Sequence, residues 1–419
     1  MHVTLVTYGS RGDVEPFVAL GRGFLRAGDE VRLVAPERFE SMAAARGIDF
    51  LGLPGDPDRL VQDLVELAGR NPLRMVSSVS RFVLPLAARV FDQVRTACTG
   101  TEVIIHSFLL TQAGHEVARE LGIPDVSAQF FPIFSTTAEF PAVAFPNLPL
   151  GRPYRRLSHV VTTQTFRQGG RILYWWVRRT NPHLPRLHGW PFSRNNGRRP
   201  PVLYAFSPHV VPQPRDWPGD AHITGYWFLD DNGNWQPPRG LLDFLDAGPR
   251  PIAIGLGSTV TQKPDDITRT VLRALDLTGQ RGVLVGKEWS QEDLSADVFT
   301  LVSAPYGWLF PRMSAVVHHG GAGTTGVGLR AGVPNVVVPF TSDQPFWGRR
   351  VFDLGAGPRP IPAQRLSAEK LAAAIEISVT DDSMRSCARD LVERIAAEDG
   401  ISQAVALVRR QVRTAAQRT

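Results

Sequence analysis

The sequence predicts an α/β protein made of two doubly wound parallel sheets, each covered by helices. Three observations lead there. Strand-length apolar runs alternate with segments of helical period in the first third of the chain, and a second alternating series begins near Pro251. The most Gly-rich turn, His319–Gly326, lies between a strand-like run and a helix-like one. With 419 residues, the chain can form two domains, each with its own core.

The elements follow in order. His2–Tyr8 is an apolar strand, followed by Gly9-Ser10-Arg11-Gly12-Asp13 and a helix expected from Pro16 to Ala27. Glu30–Val34 gives a second strand, and Val103–Ile105, a helix around Ala113–Leu121 and strand Val126–Phe130 continue the series. From Pro141 the rhythm breaks. No acidic residue occurs between Glu139 and Asp216, while arginines accumulate from Arg152 to Arg199, so an inserted helical or loop excursion is expected over about residues 141–200. Asp230–Gly240 is rich in Asn, Asp, Gly and Pro and reads as a linker. Beyond it come strands at Ile252–Leu256, Gly282–Val285, Phe299–Val302, Ala315–His318 and Asn335–Val338, with a helix near Asp266–Leu277. The expected domains are therefore 1–229 and 241–395, joined by 230–240, with a final helix near Ile401–Val412 within 396–419. Both are Rossmann-like. Such sheets take ligands beyond the carboxyl ends of their strands, so two of them are expected to face each other across a cleft.

Composition excludes several classes. Hydrophobic residues make up 43% and charged residues 21%, the balance of a soluble globular protein. No window of 18 uninterrupted apolar residues marks a membrane span. The opening Met-His-Val-Thr-Leu-Val has no basic region like that of a signal peptide. Cys98 and Cys387 are too few and too far apart for a disulfide framework or a cysteine-rich metal site, and suit the cytoplasm. No carboxylate cluster suggests a metal, and no cofactor is expected.

The chemistry is expected in the strand-end loops. His319-Gly320-Gly321-Ala322-Gly323-Thr324-Thr325-Gly326 ends a strand and opens a helix. Small residues such as Gly321 and Gly323 let backbone approach a ligand, and the unpaired N–H groups of a helix start suit a phosphate. His319 adds a side-chain donor, and Ser258, which also follows a strand, can offer a hydroxyl from the opposite side. Asp343 and Gln344 place acceptors and donors side by side, as two adjacent sugar hydroxyls require. In the first domain Asp13 can accept a proton from an acceptor hydroxyl, or merely favour a helix start through the helix dipole. Arg11 can face donor phosphates or pair with a neighbouring acid. Gly321-x-Gly323-x-x-Gly326 also fits a dinucleotide fingerprint, which would make the chain a nicotinamide-dependent oxidoreductase.

Taken together, His319-Gly-Gly-Ala-Gly-Thr-Thr and, 24 residues after the histidine, Asp343-Gln344 resemble the donor-binding signature of the family 1 glycosyltransferases, which have the GT-B fold. Gly9-Ser-Arg-Gly-Asp-Val-Glu-Pro resembles the start of bacterial natural-product and sterol glycosyltransferases. Leu203-Tyr-Ala-Phe-Ser-Pro, Asp216-Trp-Pro and Thr224-Gly-Tyr-Trp-Phe-Leu-Asp are similar to the sterol glucosyltransferase branch. The likeness covers nearly the whole chain and fades between Pro141 and Arg199. It implies inversion at the anomeric carbon, Asp13 as general base, His319, Ser258 and Thr324 on the diphosphate, and Asp343 with Gln344 on the sugar. Plant members carry a glutamate eight residues after the histidine, where this chain has Val327. The donor is thus a UDP- or TDP-sugar, with glucose implied by the sterol-like motifs. His106, near the place of the aspartate that assists the plant enzymes' histidine base, reads as a satisfied strand-end histidine.

In the insertion, Arg152, Arg155, Arg156, Arg167, Arg171, Arg178 and Arg179 interleave with Tyr154, Phe166, Tyr174, Trp175 and Trp176. That mixture suits peripheral contact with an anionic membrane surface, or is the solvated acceptor loop of a chain that uses arginine for lysine throughout. No nucleic-acid reader motif accompanies it. A lipophilic acceptor pocket is expected in the first domain, lined by Phe130, Phe131 and Phe134. A non-catalytic nucleotide-sugar or lipid binder would keep His319 and Asp343 yet have no use for Asp13.

Overall fold

The structure, a computed structural model, describes residues 1–55, 84–184, 186–187, 189–192, 199–230, 235–257, 264–287, 289 and 294–417. They form two compact units. The first comprises Met1–Ala205, Gln213–Leu229 and Asp399–Thr419, and the second Phe206–Pro212 and Asp230–Glu398.

The first unit holds a seven-stranded sheet in the order β3-β2-β1-β4-β5-β6-β7, parallel throughout. Its strands are β1 (His2–Val6), β2 (Glu30–Pro36), β3 (Asp49–Leu53), β4 (Val103–His106), β5 (Asp125–Gln129), β6 (Val202–Tyr204) and β7 (Ala221–Ile223). Helices α1 (Arg11–Arg26), α2 (Leu84–Ala97), α3 (Thr111–Leu121) and α4 (Gly151–Thr180) accompany them. Val6, Val34 and Ile104 on the sheet pack against Phe91 and Val94 of α2, Val117 of α3 and Val177 of α4.

Helix α1 begins at Arg11, five residues before the expected start. Ser10 caps it in a reciprocal box with Asp13, and this extra turn tolerates Pro16 within the helix. Half of the insertion is one helix, α4, of 30 residues. Strands β3, β6 and β7 were not foreseen. Strands β6 and β7 have three residues each, too short for periodicity to register.

The second unit is a five-stranded parallel sheet in the order β10-β9-β8-β11-β12. It comprises β8 (Ile252–Gly255), β9 (Gly282–Val285), β10 (Val298–Leu301), β11 (Ala315–His318) and β12 (Asn335–Val337). Its helices are α5 (Arg239–Asp246), α6 (Pro264–Thr278), α7 (Ala322–Arg330), α8 (Gln344–Asp353), α9 (Ala368–Thr380) and α10 (Asp382–Ala396). Successive side chains of a strand point to opposite faces, and both faces here are covered. Ile252, Ile254 and Val317 meet Val271 of α6 and Ile375 of α9, while Ala253, Val283 and Val316 meet Leu241 of α5 together with Leu309 and Phe310.

Two boundaries differ from expectation. The stretch expected as a linker belongs to the second unit: Trp235 stacks edge-on against Trp308 at 5.2 Å, and α5 starts at Arg239. Phe206–Pro212 belongs there too, held by Phe206 against Trp347 at 5.7 Å and by bonds of 2.8 and 2.6 Å from Arg350 to the Val210 carbonyl. The terminal helix, α11 (Gly400–Ala416), belongs to the first unit. Its Arg409 pairs with Asp29 at 2.9 Å, and Ile401 lies so close to Gly23 of α1 that a Cβ there would stand 2.2 Å from it.

Candidate active site

In the second unit the site grows from the end of β11. His318 is fully buried. Its Nδ1 accepts the Gly320 N–H at 3.0 Å, which places the ring proton on Nε2, donated to Asn335 Oδ1 at 2.9 Å. Burial drives His318 down to about 3, with His319 adding to the effect. This neutral ring ties the turn to β12. The turn also needs glycine at Gly320, where φ is +88° and a Cβ would lie 2.6 Å from Val337 and 3.1 Å from the Gln344 carbonyl. The loop after β11 therefore abuts the start of α8.

His319 occupies a slot between two glycines. A Cβ on Gly257, at the end of β8, would stand 3.1 Å from its Cε1, and one on Gly321 would stand 2.6 Å from its Nε2. Nδ1 is buried with no hydrogen-bond partner. Burial lowers the ring to about 4; the Gly255 backbone opposes this, without meeting full hydrogen-bond geometry. His319 is thus neutral at pH 7. A buried imidazole nitrogen without a partner is costly in a folded protein unless something else satisfies it.

Beside it starts α7. Its N-cap is Gly321, which has no side chain to cap the helix. The Thr325 N–H bonds the Gly321 carbonyl at 2.9 Å, whereas helix geometry leaves the N–H groups of Ala322, Gly323 and Thr324 without an intrahelical acceptor. Around Gly323 a Cβ would meet nothing within 4 Å. Further along, Gly328 has the opposite surroundings: a Cβ there would lie 2.0 Å from Asn335 Oδ1, the atom that receives the His318 proton. Gly328→Ala is expected to cost about 3 kcal/mol through overpacking and the broken buried bond, less the small gain in helix propensity. Denaturant unfolding checks this, and an unchanged midpoint would refute the crowding.

Asp343 precedes α8 without capping it through its side chain; its Oδ2 accepts the Trp347 indole N–H at 2.8 Å instead. Gln344 is buried, and its Oε1 accepts the backbone N–H groups of Phe340 at 2.7 Å and Thr341 at 3.2 Å. These side chains hold the turn that carries Ser342 at φ 60°. Structural work accompanies whatever polar face they offer. Ser258 lies outside the described residues.

Sequence reasoning passed over the loop after β9. A cavity of about 270 Å³ opens there, lined by Gly286, Lys287, Trp289, Thr300, Leu301 and Val302. The Trp289 indole N–H is buried without a partner. The available signal was positional, since Gly286 directly follows a strand of the same sheet. Cavity, Gly257 and His319 turn all lie at the carboxyl ends of neighbouring strands, the edge at which such sheets bind ligands.

In the first unit Asp13 sits in the first turn of α1, where its Oδ2 accepts from the Ser10 N–H at 2.8 Å and Ser10 Oγ at 3.0 Å. Those two bonds are the work of a helix-start residue. Arg11 pairs with Glu15 at 2.6 Å.

Phe131 and Phe134 join Phe108, Phe166, Trp190 and Phe192 in one aromatic cluster, with Phe134 stacked on Phe192 at 4.6 Å and Phe108 against Phe166 at 5.0 Å. Phe134 holds φ 68°, rare for a bulky residue. Phe130 departs from the expectation. It packs between Phe17 and Trp227 at 5.8 and 6.4 Å, apart from that cluster. His106 is buried and only half satisfied: its Nε2 lies 3.0 Å from Asp125 Oδ2, which His115 also contacts at 2.8 Å, while its Nδ1 has no hydrogen-bond partner. Burial alone would raise the Asp125 carboxyl, but these two bonds outweigh it and hold it below its ordinary value.

Comparison with known proteins places the geometry. Residues 3–114 match the family described as glycosyltransferase family 28 N-terminal domain, and residues 286–407 the erythromycin biosynthesis protein CIII-like C-terminal domain. The chain is 37% identical to O-mycaminosyltylonolide 6-deoxyallosyltransferase of Streptomyces fradiae, covering 97% of each. It is 34% identical to the sterol 3-beta-glucosyltransferase of Arabidopsis thaliana, with 97% of this chain and 64% of that protein covered. A Cryptococcus neoformans sterol 3-beta-glucosyltransferase is also 34% identical, and this chain spans 27% of its length. Among solved structures, the spinosyn forosaminyltransferase shares the fold at TM-score 0.70 and 15% identity, covering 98% of this chain and 99% of that one. Glycosyltransferase VinC, solved in complex with DTDP, does so at 0.68 and 19%, covering 99% and 100%. No described helix is long and apolar enough to cross a membrane. With both domains matched and a full-length relative above one-third identity, the chain belongs to the GT-B glycosyltransferases, in the group that contains the macrolide and sterol enzymes.

Proposed function

We propose that the protein transfers a hexose from a nucleoside-diphosphate sugar to a hydroxyl of a lipophilic small molecule, with inversion at the anomeric carbon. The observation that carries this reading is the buried ring of His319, unpartnered at Nδ1 beside Gly257 and with Nε2 facing Gly321, at the uncapped start of α7. Those groups can satisfy a diphosphate and each other. The relatives named above transfer glucosyl and 6-deoxyallosyl groups by name, so a hexose or 6-deoxyhexose fits.

The sheet order distributes the donor. The cavity after β9 and β10, with its unpaired Trp289 N–H, suits the nucleoside. The α7 N–H groups, Thr324 and His319 suit the diphosphate, and Asp343 with Gln344 the sugar. Asp13 removes the proton from the acceptor hydroxyl as that oxygen attacks the anomeric carbon from the face opposite the leaving group. The bond from the anomeric carbon to the diphosphate oxygen breaks, and its electron pair leaves with the diphosphate. Fixed N–H donors at α7 stabilise that charge without reorganising, a role that takes no metal. Neutral His319 acts as a hydrogen-bond donor here. The cluster of Phe108, Phe131 and Phe134 offers an apolar wall for the acceptor. The rival oxidoreductase reading rests on the spacing Gly321-x-Gly323-x-x-Gly326 with Asp343 as its ribose-binding acid, and Gly326 is buried within α7 while Asp343 Oδ2 is taken by the Trp347 N–H.

Calorimetric titration with UDP, TDP, UDP-glucose, TDP-glucose and NADPH tests the assignment. One diphosphate series is expected to bind and thereby to identify the base; binding of NADPH alone would overturn it. His319→Ala is expected to weaken the diphosphate by about 10- to 150-fold, the worth of a hydrogen bond to a charged group. Unchanged affinity would remove His319 from the site. Gly323→Ala, which meets nothing in the fold, is expected to lower the same affinity while stability is kept.

A further inference from the structure

Helix α4 has 30 residues, about 45 Å of helix at 1.5 Å per residue, and its outer face is unlike that of an ordinary surface helix. Leu157 (59% exposed), Ile172 (61%), Trp175 (55%) and Trp176 (44%) stand in solvent beside Val160 and Val161. Its buried side carries Ser158, His159, Thr162 and Val177 instead. The helix thus turns much of its apolar surface outward.

Its charge is equally one-sided. Seven arginines and no acidic residue lie within Gly151–Thr180. The whole chain has a formal charge of +6, so the residues outside this helix sum to −1. The basic character of the protein is concentrated on one element. Arg171 and Arg179 are exposed on it, as is Arg156, which pairs with Asp216 at 3.5 Å, and the Arg179 guanidinium lies 5.5 Å from the centre of the Trp175 ring.

We propose that α4 docks on an anionic lipid surface, with Trp175, Trp176 and Ile172 entering the interface and the arginines facing the headgroups. A second copy of the same helix is a poor occupant, because it would set seven positive charges against seven. Exposed indoles between guanidiniums suit the headgroup level, where an apolar ring and a polar edge are both accommodated. This reading concerns the outer face of α4 and holds whichever acceptor the enzyme uses.

Co-sedimentation of the full chain with phosphatidylcholine vesicles, with and without phosphatidylglycerol, tests it. Binding is expected to the anionic vesicles, weakened by high salt, and to be near background on the neutral ones. The double variant Arg171→Gln/Arg179→Gln is expected to lose about 30-fold in partitioning. Trp175→Ser/Trp176→Ser is expected to lose at least tenfold, with thermal unfolding unchanged because both rings are exposed. Equal sedimentation of these variants and the wild type would overturn the proposal. So would absence of vesicle binding, or a solution dimer that these substitutions dissociate.

Discussion

Asp13→Asn is expected to lower turnover by about 10²- to 10⁴-fold while leaving affinity for the nucleoside-diphosphate sugar unchanged. The carboxylate is where an acceptor proton can go, and an amide has no comparable basicity. Folding does not confound the test. Asp13 accepts from the Ser10 N–H and hydroxyl, and an amide oxygen can accept the same two bonds, so α1 keeps its start. The donor groups lie in the other unit, on β11, α7 and α8. Single-turnover rates with a screened acceptor, beside calorimetric donor affinity, separate the outcomes. Normal turnover would leave Asp13 as a helix-start residue only and would favour a different base. Loss of turnover with donor affinity intact would also set aside the non-catalytic binder, which has no use for this carboxylate.

Lowering the pH from 7.5 to 5.0 is expected to remove about 4 kcal/mol of folding stability through His318 and His319, about 2 kcal/mol each. The folded rings sit near 3 and 4, against an ordinary histidine value of 6.5, because burial disfavours their charged forms. Between 6.5 and the folded values the unfolded chain takes up protons that the folded one refuses. Stability is therefore complete above 6.5 and declines as pH falls through that window. Asp125, held below its ordinary value, has its own pH dependence, but it is common to wild type and variant and cancels in their difference. Urea unfolding at both pH values is expected to show a loss about 2 kcal/mol smaller in His319→Ala than in the wild type. An identical loss would mean that His319 is not desolvated between Gly257 and Gly321, and the phosphate reading would lose its main support.

Much of this was legible in the sequence, for reasons that are local. The strands of the second unit are continuous apolar runs because both faces of a parallel sheet are covered, and such runs stand out against polar loops. The His319–Gly326 turn showed itself because a strand end, a run of small residues and a helix start come in one order. The glycosyltransferase family was also legible, from two motifs at a fixed spacing. What the tertiary structure decided are matters of contact between segments far apart in the chain. That His319 is neutral follows from glycines at 257 and 321 meeting around it, which no local pattern records. Phe130 and Phe131 follow the end of a strand toward different partners, Phe17 and Trp227 for the first and Phe108 for the second, and Phe134 reaches Phe108 from a turn at φ 68°. Gln344 and Asp343 gained structural partners at Phe340, Thr341 and Trp347 that a reading of ligand chemistry alone omits. The same holds for the basic insertion. Its composition was plain in the sequence, but which residues of a 30-residue helix face solvent depends on what the rest of the fold covers. Periodicity can assign an element its type. Only packing decides which of its faces remains to bind something.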